Sequence, residues 1–206
     1  ASSLVGHFTG AINGQSVARG TTFLADMMNG QVFGENIVIV DDPLRKRGLR
    51  SKPFDDEGVA TKTRNIIDGG ILTTWILDLA TSRQLGLETT GHASRGTDGP
   101  PSPSTTNVHM TAGNVSKEDL IGAIDNGFYV TELIGMGVNG VTGDYSRGAG
   151  GFWIENGEIA YPVNEITIAS NLKDMFKNMM PADDLTFKFA TNAPTLRIDG
   201  MTIAGK

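Results

Sequence analysis

GMGVNGVTGDYSRGAGGFWIENGEIAY, the stretch from Gly135 to Tyr161, organises the rest of the chain. Its dense glycines permit positive φ angles and allow another backbone segment to approach closely. Phe152 and Trp153 follow the glycines, and Asn156-Gly157, the favoured pair for a type I′ turn, then separates two strand-like segments. The stretch therefore predicts a β-hairpin that packs against a neighbouring backbone segment or a bound chain.

A nucleotide-binding pattern lies inside the same stretch, because Gly135-x-Gly137-x-x-Gly140 matches the dinucleotide fingerprint. That fingerprint requires a helix that begins at its last glycine, within a longer βαβ unit. Val141–Asp144 is a poor helix start, and three further glycines follow shortly afterwards. We therefore do not expect this pattern to bind a nucleotide.

Composition narrows the class of protein. The chain has 206 residues, 39% hydrophobic and 19% charged, which is enough for one globular domain with a real core. The net charge is −6, and Arg45-Lys46-Arg47 is the main basic run, so we do not expect direct contact with nucleic acid. There is no cysteine, which excludes a disulfide framework and a thiolate metal site and fits a cytoplasmic location. No apolar run is long enough to predict a membrane span.

Hydrophobic periodicity predicts an α+β fold, rich in strands, with about three helices and a strongly curved, barrel-like, mainly antiparallel sheet. The predicted helices are one over 2–14, one that follows the capping residue Ser116, and one over 171–180, with a shorter candidate at 80–85. The predicted strands include 31–33, 37–40, 61–67, 71–77, 105–111, 128–134, 166–168 and 185–189, and a last hairpin pairs 195–198 with 201–203.

Two kinds of catalytic site can be considered from the residues. His7 could join the acidic turn residues Asp55, Asp56 and Glu57 to hold a metal, although no motif requires it, and a solvated turn is the simpler interpretation. Ser3 lies four residues before His7 and so shares its helix face, but no oxyanion signature accompanies the pair.

Binding chemistry is predicted at three further places. Gly91–Pro103 is a long loop rich in proline and glycine that contains His92, and loops of this length are either functional or mobile. Asp144 and Arg147 could bind a peptide main chain or a carboxylate, or could form a local salt bridge. The candidate residues for binding a substrate or partner are Asp55, Asp56, Glu57, His92, Asp144, Arg147 and Trp153.

Four segments carry a resemblance to a known family. They are GHFTGAINGQSVARGTTFL, PFDDEGVATKTRNIIDGGIL, GVTGDYSRGAGGFWIENGEIAYPVNEITIASNLKDMF and NAPTLRIDGMTIAG, in this order along the chain. Together they resemble the C-terminal domain of the TldE/PmbA subfamily within the TldD/PmbA family, and the resemblance covers essentially the whole chain. The family also has an N-terminal α/β domain, which is absent from this chain, so we expect residues 1–206 to be the C-terminal domain of a longer protein.

The resemblance implies a function. TldD and TldE pair into a cytosolic metalloprotease that processes peptides and unfolded proteins, and an older description of the family is modulator of DNA gyrase. The resemblance places the zinc on TldD, through a His-Glu-x-x-x-His motif on a helix. On this sequence the motif falls on Ser2–His7, where Ser2 replaces the first histidine, Ser3 replaces the glutamate, and His7 alone remains.

The degenerate motif implies a subunit without its own zinc. A neutral serine hydroxyl is a poor zinc ligand and cannot replace a carboxylate base near neutral pH. TldD also has a cysteine ligand near its C-terminus, and the matching segment Lys188–Pro194 contains none. We therefore expect no catalytic residue, metal or cofactor in this chain, and a zinc-bearing TldD-like partner, or a second copy of the chain when it is isolated. Two alternative functions are a regulator of gyrase and an independent hydrolase.

Overall fold

The computed structural model describes residues 1–205. Within them the chain forms five short helices: α1 (Ser2–Ala11), α2 (Gly14–Ala18), α3 (Leu79–Leu85), α4 (Lys117–Gly122) and α5 (Leu172–Lys177). The strands are β1 (Ile39–Asp41), β2 (Arg64–Asp68), β3 (Ile71–Leu72), β4 (Ala93–Ser94), β5 (Ser102–Pro103), β6 (Val108–Met110), β7 (Asn126–Ile134), β8 (Asp144–Glu155), β9 (Glu158–Asn171), β10 (Met179–Pro181), β11 (Thr191–Asn192), β12 (Leu196–Ile198) and β13 (Thr202–Ala204). No helix in this part of the chain is both long and apolar enough to cross a bilayer.

The strands form four separate sheets. A five-stranded sheet has the order β11-β6-β1-β2-β3, and a four-stranded sheet has the order β13-β9-β8-β7. Two small two-stranded sheets pair β10 with β12 and β4 with β5. All pairings are antiparallel except β11 with β6, which is parallel.

The hairpin predicted from the glycine-rich stretch is confirmed. β8 and β9 are joined by Asn156 and Gly157, whose φ angles of 52° and 80° are those of a type I′ turn. Close backbone approach is also present, because a Cβ built on Gly151 would lie 2.0 Å from the carbonyl oxygen of Tyr129 on β7. The hairpin therefore forms the centre of the four-stranded sheet, with β7 along one edge.

One contiguous hydrophobic core connects the two larger sheets and α1. At its centre the ring of Phe33 stacks on Phe176 with centroids 4.5 Å apart, and Phe8 of α1 packs edge-on against Phe33 at 5.0 Å. All three side chains are fully buried. Residues of α1, α5 and the two larger sheets thus share one core.

The prediction of a barrel-like sheet is wrong. The α+β assignment holds, but the strands divide among four open sheets, and β7 and β13 are free edges of the four-stranded one. The glycines of the hairpin allow close contacts, as at Gly151, and positive φ angles, as at Gly157, without closing the sheet. β12 and β13, predicted as one hairpin, pair with β10 and β9 in different sheets.

The count of about three helices is also wrong. The short candidate at 80–85 is a helix, and the first predicted helix ends early and is followed by α2. The side chain of Asn13 accepts a hydrogen bond from the Gln15 N–H at 3.0 Å and caps α2, so the chain begins a second helix where one helix over 2–14 was predicted. Gly14 then lets α2 pack closely on α3, because a Cβ there would lie 2.6 Å from Thr81 Oγ1. Residues 31–33 and 185–189 form no strand.

Candidate functional site

The start of α1 carries the degenerate motif. Ser2 and Ser3 are exposed in the first turn, and His7 is half-buried one turn later. The Nε2 atom of His7 is buried and has no hydrogen-bond partner among the described residues, so Ser3 and His7 do not form a nucleophile–base pair through it. This geometry does not support the Ser–His hydrolase alternative.

His7 lies beside two residues of β8, Tyr145 and Arg147. The rings of His7 and Tyr145 meet edge to face with centroids 6.3 Å apart. Burial lowers the pKa of His7, and the nearby Arg147 guanidinium lowers it further. Burial raises the pKa of the Tyr145 phenol, and Arg147 opposes part of that rise. Sequence reasoning missed Tyr145, although its spacing from Arg147 puts both residues on one face of the strand.

The donor set at α1 does not fit a catalytic zinc ion, which needs three protein ligands. Within residues 1–205 no group of three or more His, Cys, Asp or Glu side chains is placed to hold a metal. His7 is therefore not assembled with Asp55, Asp56 and Glu57, and its charged neighbour Arg147 would repel a divalent cation.

The acidic turn has a structural arrangement. Asp55 is buried, and its carboxylate accepts hydrogen bonds from the N–H groups of Glu57, Val59 and Ala93 at 3.0, 2.8 and 3.0 Å. The exposed Asp56 accepts a hydrogen bond from the Arg95 N–H at 2.7 Å, which lowers its pKa, and it also pairs with Lys52. The carboxylate of Glu57 accepts a hydrogen bond from the Leu79 N–H at the start of α3.

His92 lies deep below this turn. Its Nε2 is 2.9 Å from Asp41 Oδ2, and its Nδ1 is 2.8 Å from Thr90 Oγ1. Asp41 is completely buried and also accepts hydrogen bonds from the N–H and hydroxyl of Thr106 at 2.8 and 3.0 Å. Both ring nitrogens of His92 are engaged, so this pair holds the loop Gly91–Pro103 onto β1. No sequence pattern predicted Asp41 as its partner.

Asp144 and Arg147 are not paired with each other at ion-pair distance among the described residues, so the predicted local salt bridge is not formed. Asp144 is exposed, and hydrogen bonds from Thr142 and Asn171 lower its pKa. Trp153 is half-buried and lies tilted against Phe128, with centroids 6.3 Å apart.

A cleft of about 470 Å³ opens between α1, α4 and the four-stranded sheet. Its wall is mostly apolar and includes Leu4 of α1, Leu133 of β7 and Ile168 of β9. Tyr145 belongs to the same wall, so the residues around His7 lie beside this cleft. Residues of β7, a free edge of the four-stranded sheet, line this cleft as well.

Comparison with known proteins assigns the chain to a family. Residues 1–205 match the family profile described as the PmbA/TldA metallopeptidase C-terminal domain. The chain belongs to the PmbA/TldD metallopeptidase family. The family resemblance inferred from the sequence is thus confirmed.

Curated and solved relatives of the PmbA/TldD family agree with this assignment. The chain is 44% identical over its whole length to the metalloprotease PmbA of Escherichia coli O157:H7, and it spans 44% of that protein. It superposes with a TM-score of 0.89 and 28% identity on a Bacteroides thetaiotaomicron protein described as a candidate modulator of DNA gyrase, over 100% of this chain and 45% of that one. TldE from Thermococcus kodakarensis gives a TM-score of 0.86 at 28% identity, over 97% of this chain and 48% of that one. The chain thus spans less than half the length of these relatives.

Proposed function

We propose that this chain forms the non-zinc half of a two-subunit metalloprotease of the cytoplasm that acts on peptides and unfolded protein segments. In this proposal it shapes the substrate chamber and docks a zinc-bearing, TldD-like subunit. The observation that carries the proposal is the donor set on α1, where two serine hydroxyls and one histidine, placed beside Arg147, cannot hold and activate a metal-bound water. Membership of a metallopeptidase family supports a role in proteolysis.

The surface of the chain supports a substrate-binding role. β7 is a nine-residue edge strand, so its free backbone N–H and C=O groups can pair with an extended peptide. The apolar wall of the cleft, with Leu133 on β7 itself, lies next to that edge and can receive alternate side chains of the peptide. Pairing of this kind depends mainly on main-chain groups and is therefore suited to substrates of varied sequence.

Co-expression with a TldD-like protein from the same cell tests the proposal. We expect peptidase activity on an unfolded substrate only when both subunits are present, and we expect a chelator to abolish it and added zinc to restore it. Metal analysis should find zinc in the complex and not in this chain alone. Stoichiometric zinc on the isolated chain, or peptidase activity of the chain alone, would contradict the proposal.

A second candidate function is regulation of DNA gyrase by protein contact. It is favoured by two solved relatives, from Bacteroides thetaiotaomicron and Thermotoga maritima, that are described as candidate modulators of DNA gyrase. The net charge of −6 argues for contact with the enzyme rather than with its DNA. A pull-down of purified gyrase subunits with this chain decides the question, and absence of retention at micromolar concentrations would discard the candidate.

A further inference from the structure

Three polar side chains, which we call the basic cluster, meet where α1 crosses β8: His7, Tyr145 and Arg147. Tyr145 and Arg147 are two residues apart on one strand and so share a face, and the edge-to-face contact of His7 with Tyr145 brings in the third. Tyr145 is buried, and the other two are half-buried. The cluster therefore combines three hydrogen-bond donors in a partly desolvated place.

The basic cluster has unused hydrogen-bonding capacity. The described residues contain four buried side-chain polar atoms without a partner, and two of them are His7 Nε2 and Arg147 Nε. Arg147 also has no carboxylate within ion-pair distance in the same residues. Buried polar atoms are nearly always hydrogen-bonded. Tyr145 is a hydrogen-bond partner of Arg147, but a neutral phenol does not balance the guanidinium charge and leaves Nε without a partner. Two such atoms in one cluster indicate that a group absent from the folded chain completes it.

The charge of the cluster identifies that group. Because burial and Arg147 both lower the pKa of His7, the imidazole is neutral near pH 7, and the Tyr145 phenol stays protonated because burial raises its pKa. The cluster therefore carries a single positive charge, on Arg147, together with two neutral groups that can donate hydrogen bonds. One planar guanidinium with neutral donors matches a singly charged, planar carboxylate better than a doubly charged phosphate.

The cluster is next to the proposed peptide site. Tyr145 lines the cleft of about 470 Å³, and Ser3 and Leu4, from the helix that carries His7, line it too. A peptide in the cleft would pass mainly apolar side chains. Arg197 lines the cleft too but is paired with Asp199 at 2.8 Å, so the basic cluster, where Arg147 has no carboxylate partner, is the place where a negative charge would be accepted. We propose that His7, Tyr145 and Arg147 bind a carboxylate group of a peptide held in the cleft, either an acidic side chain or the C-terminal carboxylate. The carboxylate chemistry rests on the cluster alone, and only the peptide as its source rests on the proposed function.

Binding of matched peptides to the isolated chain tests this inference. Three probes share a sequence of Ser, Val and Gly around one variable position. The first has Gln there and a free C-terminal carboxylate, the second has Glu there and an amidated end, and the third has Gln there and an amidated end. We expect the first, the second or both to bind at least tenfold more tightly than the third. The comparison of the first two identifies the source of the carboxylate. Equal affinity for all three, or no binding of any, would overturn the inference.

Single substitutions test whether the basic cluster is where the carboxylate binds. Arg147→Gln should weaken binding of the carboxylate probe about ten- to a hundredfold, since it removes a charge-assisted hydrogen bond, and Tyr145→Phe should weaken it less. Arg64→Gln is the matched control, because Arg64 also has a buried Nε without a partner but lies on β2 outside the cluster. An unchanged affinity in Arg147→Gln, with unfolding curves that show an intact fold, would refute the site.

A direct readout does not depend on peptidase activity. In protein with isotope-labelled histidine, the NMR signals of the His7 imidazole nitrogens should shift when the carboxylate probe binds. The pKa of His7 should also rise, because a nearby anion stabilises the imidazolium. Inorganic phosphate should compete more weakly than acetate, and stronger competition by phosphate would contradict a carboxylate site. Failure to find a zinc-bearing partner would defeat the proposed function and leave these binding results unchanged.

Discussion

Replacement of His92 by alanine should destabilise the protein strongly, although the sequence predicted His92 as a binding residue. Asp41 is completely buried and has three donors: His92 and the N–H and hydroxyl of Thr106. His92→Ala removes a charge-assisted hydrogen bond, worth about 1.5–3 kcal/mol, and leaves a cavity and an under-solvated carboxylate. Removing one partner of a buried pair costs about 3–5 kcal/mol in total.

Urea unfolding, followed by the fluorescence of the buried Trp75, measures that loss of unfolding free energy. His109→Ala is the matched control, since the buried Nδ1 of His109 has no partner in the described residues, and it should cost less than His92→Ala. The double variant of Asp41 and His92 should cost less than the sum of the single ones by about 0.5–3 kcal/mol. A loss below about 1 kcal/mol in His92→Ala would refute the idea that this pair holds the loop onto β1.

Two further predictions concern stability. Gly151→Ala should destabilise the protein by about 1–3 kcal/mol, because its Cβ would lie 2.0 Å from the carbonyl oxygen of Tyr129. The control Gly10→Ala, on an open helix face, should be neutral or stabilising by up to about 1 kcal/mol. Equal effects of the two substitutions on urea unfolding would contradict this prediction. The pKa values of His7 and His109 are lowered, mainly by burial, so the unfolded chain binds more protons, and unfolding free energy should fall as pH drops below about 6.5. Melts at pH 7.5, 6.5 and 5.5 should show this fall, with a smaller fall after both histidines are replaced by glutamine.

The two subunits of the proposed enzyme would have different roles, one in activating water and the other in binding substrate. Proteolysis by zinc needs an activated water and a positioned substrate, and in this proposal the chain, with its donor set on α1, would supply only the second. A carboxylate held at the basic cluster would fix the register of a peptide along β7, which main-chain pairing alone leaves free to slide. The proposed carboxylate site would thus give a non-zinc subunit a use for the histidine and the arginine beside the cleft.

Local features were predictable from the sequence because their energetics are local. Asn156-Gly157 fixes a type I′ turn, since both of its φ angles must be positive. Ser116 caps α4 by accepting a hydrogen bond from the Asp119 N–H three residues later, at 3.0 Å. The unsuitability of Ser2 and Ser3 as zinc ligands likewise follows from the chemistry of the hydroxyl group alone.

Only the tertiary structure decided which distant residues meet. Asp41 and His92 are 51 positions apart, and their pairing depends on how the loop Gly91–Pro103 lies over β1. His7 meets Tyr145 because α1 and β8 bury residues in the same hydrophobic core. Periodicity reports which face of an element is buried, but the order of strands and the sheet each one joins depend on long-range packing. For that reason the strand-rich α+β class was predicted correctly, while the barrel, the last hairpin and the strands at 31–33 and 185–189 were wrong.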